Sequence, residues 1–281
     1  MLAKKSFSFY KFLLLLLITS TLISACARAP ITGRQQLLII SESQAIKQSE
    51  SAYFKMLEKP SSDGKLDNDP KLKSRVEKIT GRIITQAIKY RPETANWKWS
   101  IHVIDDPKAV NAWAMAGGRM ALYSGLVKQV KPTDDELAQV LAHEIAHALA
   151  KHTAEKMSVA LATNLTIAAF AISQQEENKL ALQGVSLAAA LAINLPNSRT
   201  AETEADRIGI ELAARAGYNP KAAVSLWQKM AKVGGGGQSF EFLSTHPTTN
   251  NRINALNNLV QQMMPYYKKK APHPIYKFKH Q

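Results

Sequence analysis

The stretch Leu141-Ala142-His143-Glu144-Ile145-Ala146-His147 decides how the rest of the chain is read. Its two histidines are four residues apart. On a helix that spacing separates them by about 40°, so both imidazoles can reach one cation. Glu144 stands beside them, where a carboxylate can serve as general base. Two neutral imidazoles and a carboxylate are the groups a zinc hydrolase needs. The flanking residues specify a helix. Thr133 and Glu136 form a capping box, and Asp134, Asp135 and Glu136 place negative charge where the helix dipole favours it. Leu137, Leu141, Ile145 and Leu149 recur as an apolar row. A helix over about 134–152 is predicted.

The pattern alone recurs by chance in helices, so a third ligand has to be found. The chain's one cysteine, Cys26, lies far upstream. A metzincin would place a histidine six residues after His147 and a glycine three after it. Those positions hold Thr153 and Ala150, which excludes that class. His152 lies nine residues past His143, half a turn around a continuous helix, and is expected to face away. What remains is a carboxylate from a second helix. In Glu202-Thr203-Glu204-Ala205-Asp206, Glu202 and Asp206 share a face at i, i+4. Glu202 can ligate, and Asp206 can accept the outer N–H of a ligating histidine, a support metal-bound histidines nearly always have. Glu204 is expected to point into solvent. Acids also suit the first turn of any helix, so the spacing leaves a plain surface reading open.

Upstream, Trp97, Trp99, Ile101 and Val103 alternate, which predicts a strand over 97–104 with one buried face. A second short strand is expected at Arg119–Tyr123, after the turn at Gly117-Gly118. The stretch Asn111 to Gly118 precedes it, and the edge over 112–123 could bind a peptide backbone by β-augmentation; an ordinary hairpin packed on the core is the other reading. Helices are expected at 42–59 and 70–90. Downstream, residues 154–194 are apolar and alanine-rich, with a polar break at 173–178. Each half is short for a bilayer and reads as a core or lid helix, or else as a hairpin touching the membrane or plugging the cleft. A helix over 199–216 ends at Gly217, and Asn219 and Pro220 open the next. Residues 234–237 read as a flexible linker, and a last helix runs from Thr248 or Thr249 to about 264. These elements give a mainly α architecture with a small β-sheet, an α+β fold.

The N-terminus reads as a secretion signal. Lys4, Lys5 and Lys11 precede an apolar run over 12–23, too short to span comfortably. Leu22-Ile23-Ser24-Ala25-Cys26 resembles the lipobox of bacterial lipoproteins, which implies cleavage before Cys26 and its acylation. Ala27 follows rather than Asp, which favours the outer membrane and its periplasmic face. An uncleaved anchor with an incidental cysteine is the alternative. Acyl chains contribute about 0.8 kcal/mol per buried CH₂, enough to anchor without spanning. The organisation is then a signal peptide (1–25), a lipidated N-terminus and tether (26–41), a metallopeptidase domain (42–264) and a basic aromatic tail (265–281). That tail could lie on anionic headgroups or remain solvated. Of 281 residues 46% are apolar, which supports a sizeable core, and a single cysteine excludes an intrachain disulfide. The net charge of +14 is spread along the chain, which suits an anionic surface and not a nucleic-acid partner.

HEIAH, then ETEADRIGIELAARAGYNP and LSTHP, is similar to the zinc metallopeptidase family that includes CAAX prenyl proteases, HtpX and the mitochondrial Oma-type protease. NAWAMAGGRMALYSGLV resembles that family's strand and turn before the zinc helix. The lipobox and TGRQQL narrow the resemblance to the BepA/LoiP-like outer-membrane lipoprotein branch. It is nearer LoiP, since no long tetratricopeptide-type segment follows the match. The resemblance covers about residues 31–259. It implies a gluzincin-type site with one Zn²⁺ per chain, held by His143, His147 and Glu202, with Glu144 as general base and Asp206 orienting a ligand histidine. His246 matches the family's His-Pro position, where it would stabilise the oxyanion or, as a fourth ligand, keep the enzyme latent. Arg252 would support the same wall. Candidate substrate-binding residues along the edge are Asn111, Ala112, Met115, Gly117 and Gly118. The implied substrates are misfolded or unassembled envelope polypeptides, and the outer-membrane assembly machinery is an expected partner. The rival readings are a latent chaperone with a closed zinc site, and a lipoprotein that binds anionic lipid or peptidoglycan.

Overall fold

The structure is a computed structural model that describes residues 26–173, 197–234, 241–246, 250–268 and 270–279. The signal peptide expected at 1–25 and the second apolar segment near 180–195 lie outside the described residues, as does most of the glycine linker.

A hairpin of β1 (Cys26–Arg28) and β2 (Gln35–Leu37) opens the chain. Helix α1 (Glu42–Ser62) follows, started by a capping box between Ser41 and Gln44. Helix α2 (Pro70–Tyr90) has Asp69 as N-cap and proline at its start, and stops before Pro92. Then come β3 (Ser100–Ile104), β4 (Ala112–Met115) and β5 (Arg119–Tyr123), with the short α3 (Ser124–Val130). The metal-motif helix α4 (Asp134–Leu149) is followed by α5 (His152–Ser173), α6 (Arg199–Arg215), α7 (Ala222–Gly234), α8 (Glu241–Thr245) and α9 (Asn250–Met263). None of the described helices is long and apolar enough to cross a membrane.

The three-stranded sheet has the order β3-β5-β4, parallel on one side and antiparallel on the other. Strand β4 is therefore an edge. Gly117 and Gly118 make its turn at φ +86° and +82°, in the left-handed region that glycine adopts without cost. A Cβ on Gly118 would sit 2.5 Å from the Trp99 ring, so the turn closes directly on the core.

Helix α4 runs through the centre. The predicted row Leu137, Leu141, Ile145 and Leu149 is fully buried, and so is every other residue from Glu136 to Leu149. The sheet and α2 cover one side, and α6 covers another. Gly209 lets α6 come close: a Cβ there would lie 2.9 Å from His143 Cα. Helix α4 ends at Leu149, earlier than predicted. Ala150 caps it, and Lys151 turns left-handed at φ +60°. Arg91 Nη1 donates to Leu149 O at 2.6 Å and Gln36 Nε2 to Ala150 O at 2.7 Å, so the freed carbonyls of the last turn are paired from outside.

Other expectations need correction. The segment expected as a tether is docked: Gln36 is buried, and Ile40 N donates to Ser158 Oγ at 2.9 Å. Helix α7 begins at Ala222, because Asn219 and Pro220 form a turn ahead of it. Helix α8 was not expected; only five residues long, it has no room for periodicity. The tail is not a free solvated extension. Tyr276 N donates to Gly81 O at 3.0 Å, and Tyr276 and Phe278 pack half-buried against the core.

Candidate metal centre

Four donor atoms meet at the junction of α4, α6 and α8. His143, His147, Glu202 and His246 each offer one, all within 4.8 Å of one another and all buried. Helix α4 supplies the two histidines from one face, α6 supplies the carboxylate, and His246 follows α8. His143 Nε2 and His147 Nε2 are 3.0 Å apart. Glu202 lies 3.4 Å from the first and 3.3 Å from the second. His246 Nδ1 is 3.2 Å from His143 Nε2 and 2.9 Å from Glu202 Oε1.

These separations test whether the residues fit a metal. Donors bonded at about 2.0–2.1 Å to a tetrahedral ion stand about 3.3 Å apart. Five of the six cage edges, with Glu202 taken at its nearer oxygen, run from 2.9 to 3.4 Å, near that figure, and the set of nitrogens and a carboxylate oxygen suits such an ion. Glu144 lies 3.3 Å from His246 Nε2 at the rim of the cage, and its Oε1 is buried without a hydrogen bond.

The electrostatics separate the groups that can offer a lone pair as they stand from those that must first lose a proton. Burial drives the His147 imidazole well below its usual pKa, further than Glu202 can restore it, so it is neutral and able to donate a lone pair. Burial also depresses His143, but Asp206 and Glu202 outweigh it and raise the metal-free value to about 9. A cation must displace that proton, so binding releases it. Glu202 is disfavoured as an anion by burial, yet the histidines around it hold it ionised far below the usual carboxylate range. Burial raises Glu144.

Asp206 sits where the sequence placed it. Its Oδ1 is 3.0 Å from His143 Nδ1, the nitrogen turned away from the cage. Arg252 grips Asp206 at 2.8 and 2.7 Å, reaches Glu202 at 3.0 Å and stacks 3.7 Å over the Trp227 ring. It is thus part of the carboxylates' support beneath the cage.

Two expectations fail. His152 does not face away: its Nδ1 is 2.8 Å from His147 Nδ1. The prediction counted degrees along a continuous helix, and the break at Ala150–Lys151 resets the count, folding His152 back under the site. Glu204 does not point into solvent; it is buried and bonded to His152, Thr32 and Arg34. His152 raised its hand in the sequence only as a nearby histidine. The involvement of Thr32 and Arg34 carried no local signal.

A cleft of about 410 Å³ opens beside the cage. Asn111, Ala112 and Met115 line it with the rest of β4, opposite Thr153, Lys156 and Asn197, and Glu144, His147 and His246 form its floor. Gly117 and Gly118 are not among the lining residues; they serve the turn against Ile46 and Trp99. Lys156, missed by sequence reasoning, bonds Asn197 at 3.2 Å, and burial lowers its pKa.

Known proteins resemble this chain in sequence. Residues 69–260 match the model of peptidase family M48. The chain is 31% identical over 253 residues to the mitochondrial metalloendopeptidase OMA1 of Saccharomyces cerevisiae, covering 85% of this chain and 70% of that one. It is 33% identical over 246 residues to the human OMA1 metalloendopeptidase, covering 84% and 46%. It is 29% identical over 205 residues to the beta-barrel assembly-enhancing protease of Yersinia pestis, covering 70% and 41%. The chain spans under half the length of the latter two. A buried cage of metal-ligand spacing with a carboxylate at its rim, on a chain matched by that model over most of its length, places this protein in peptidase family M48 as a metallopeptidase.

Proposed function

We propose that the protein is a zinc-dependent endopeptidase, held at the periplasmic face of the outer membrane through acylated Cys26, that cleaves misfolded or unassembled envelope polypeptides. The observation that carries the chemistry is the donor cage lying beside a buried carboxylate that lines a cleft of about 410 Å³. Zinc, when bound, would supply Lewis acidity to a water and to the peptide carbonyl. The remaining work belongs to the chain. His143, His147 and Glu202 hold the ion. Glu144 takes the proton of the attacking water and returns it to the leaving amine. Its burial raises its proton affinity, which suits a group that must carry a proton between two steps. Among the described residues no strand pairs with the outer edge of β4, so an extended peptide can add there as the next strand, along Asn111, Ala112 and Met115. The envelope substrates follow from the lipoprotein-branch resemblance, and a link to assembly is suggested by the Yersinia relative, which is named a beta-barrel assembly-enhancing protease.

Glu144→Gln tests the chemistry. Casein cleavage should fall by at least about 100-fold with zinc content unchanged, as expected for loss of a general base; cleavage at the wild-type rate refutes the endopeptidase reading. Labelled palmitate should enter the wild type and not Cys26→Ala, and equal labelling of both refutes the anchor.

A second reading has an observation of its own. His246 fills the fourth corner of the cage, so this conformation leaves no open position. A catalytic zinc site needs one. With His246 as a fourth ligand the enzyme would be latent, and His246 would have to move aside for turnover.

A further inference from the structure

We propose that His152 and Glu204 form a positioning pair that holds His147 in ligating geometry, and that the hairpin next to Cys26 clamps this pair from outside. The inference rests on the metal-site reading above. It begins with the direction of a proton. His147 Nε2 faces the cage, 3.0 Å from His143 Nε2 and 3.3 Å from Glu202, so its lone pair belongs there. Its own proton must then sit on Nδ1. That nitrogen lies 2.8 Å from His152 Nδ1, and two ring nitrogens at that distance share one proton. His152 accepts it on Nδ1 and must carry its other proton on Nε2. Nε2 lies 3.1 Å from Glu204 Oε2, which accepts. Each bond fixes the tautomer of the next, and all run outward from the ligand.

The outer end is held by the N-terminal hairpin. Arg34 Nε donates to Glu204 Oε2 at 2.7 Å, and the Thr32 hydroxyl donates to Glu204 Oε1. The Arg34 fork also grips Glu155 at 2.8 and 2.6 Å, one turn along from His152. Gln36 reaches both Glu155 and Ala150 O. The hairpin therefore pins both the carboxylate and the left-handed turn that brings His152 under the site. The pair is shut off from water: His152 is 2% exposed and Glu204 6%. The two ligand histidines are thus supported differently. His143 leans on Asp206 and Arg252 inside the domain, and His147 leans on residues six to ten positions after Cys26.

The test uses the full chain in detergent, with Zn²⁺ competed against a chromophoric chelator and Co²⁺ spectra taken in parallel. His152→Ala should weaken Zn²⁺ binding by about 10–100-fold, the usual cost of losing such a partner. His152→Asn, whose Oδ1 can stand where Nδ1 accepts, should recover most of that loss. Arg34→Ala, two links from the metal, should weaken binding several-fold and alter the Co²⁺ spectrum. All three variants remove part of the bonding that holds Glu204, so a modest fall in metal-free melting temperature is expected, but the Zn²⁺ loss should exceed what that fall accounts for, with kcat for casein lowered and KM little changed. Zn²⁺ affinity in His152→Ala within about twofold of wild type overturns the proposal. So does a His152→Asn variant no better than alanine, or losses that only follow a falling metal-free melting temperature. Wild-type affinity in Arg34→Ala overturns the role of the hairpin. If His152→Ala does not fold, the asparagine and Arg34 variants decide: retention in the first with loss in the second supports the pair, and wild-type binding in both refutes it. A wild-type chain that binds no zinc overturns the function reading, and this inference with it. A wild type that binds zinc no better than its variants overturns this inference alone.

Discussion

Gly209→Ala is the perturbation for which the structure gives the clearest number. The new Cβ would lie 2.9 Å from His143 Cα, 2.9 Å from His143 N and 3.1 Å from the Ala142 carbonyl carbon. Carbon pairs rest at about 3.5–4.0 Å, so α4 and α6 would have to part by roughly 0.6–1 Å. The contacts are backbone, which cannot swing aside as a flexible side chain would. Overpacking of this kind costs about 1–3 kcal/mol. Alanine in a helix interior returns about 1 kcal/mol relative to glycine. The clash outweighs that gain by up to about 2 kcal/mol, and the metal-free protein should melt up to about 8 °C lower. The effect on the metal should be larger. Glu202 sits on α6 and both histidines on α4, and ligand positions tolerate only about 0.2 Å. Melting of the metal-free chain and chelator competition for Zn²⁺ measure the two effects separately. A Gly209→Ala protein that melts at or above wild type and binds zinc equally well refutes the helix–helix packing described here.

Three further outcomes are expected beside that of Glu144→Gln. Asp206→Asn keeps the shape but weakens the acceptor on His143 Nδ1, and zinc affinity should drop about 10–100-fold by chelator competition. Glu204 loses ease of ionisation to burial, but His152, Thr32 and Arg34 outweigh this and hold its pKa down to about 2. A depressed carboxylate stabilises the fold above its unfolded pKa and loses that contribution as pH falls. The gap in melting temperature between wild type and Glu204→Gln should be widest above about pH 4.5 and close toward pH 2; a gap that does not narrow is the refuting result. His246→Ala opens the fourth corner of the cage, so casein cleavage should rise if the described conformation is latent. A fall in kcat would assign His246 to oxyanion stabilisation instead.

Much of the site was legible because it lies within single helices. The i, i+4 pairs His143/His147 and Glu202/Asp206 are fixed by 3.6 residues per turn, whatever the helices pack against. The capping box at Thr133 and Glu136 marks the start of α4 by chemistry confined to four residues. Helix α2 lies close to where it was expected, because Pro70 and Pro92 punctuate it. Where the reading failed, the cause was distant. Helix α4 stops because Arg91, 58 residues upstream, and Gln36, 114 residues upstream, take its last carbonyls. Lys151 adopts a left-handed turn that no glycine announces. The tail and the tether look free because their anchors, Gly81 for one and Glu155 and Glu204 for the other, are remote in sequence.

The sequence by itself placed the candidate metal donors and the candidate proton carrier on shared helix faces, since spacing on a helix is a local property. Only the tertiary structure decided how those atoms are aimed. It closed the cage with His246, put Arg252 under both carboxylates, and turned His152 and Glu204 from surface residues into the backing of His147. Aim depends on which helices touch and where each one stops, and those are set by side chains tens to more than a hundred residues away, which no local period records.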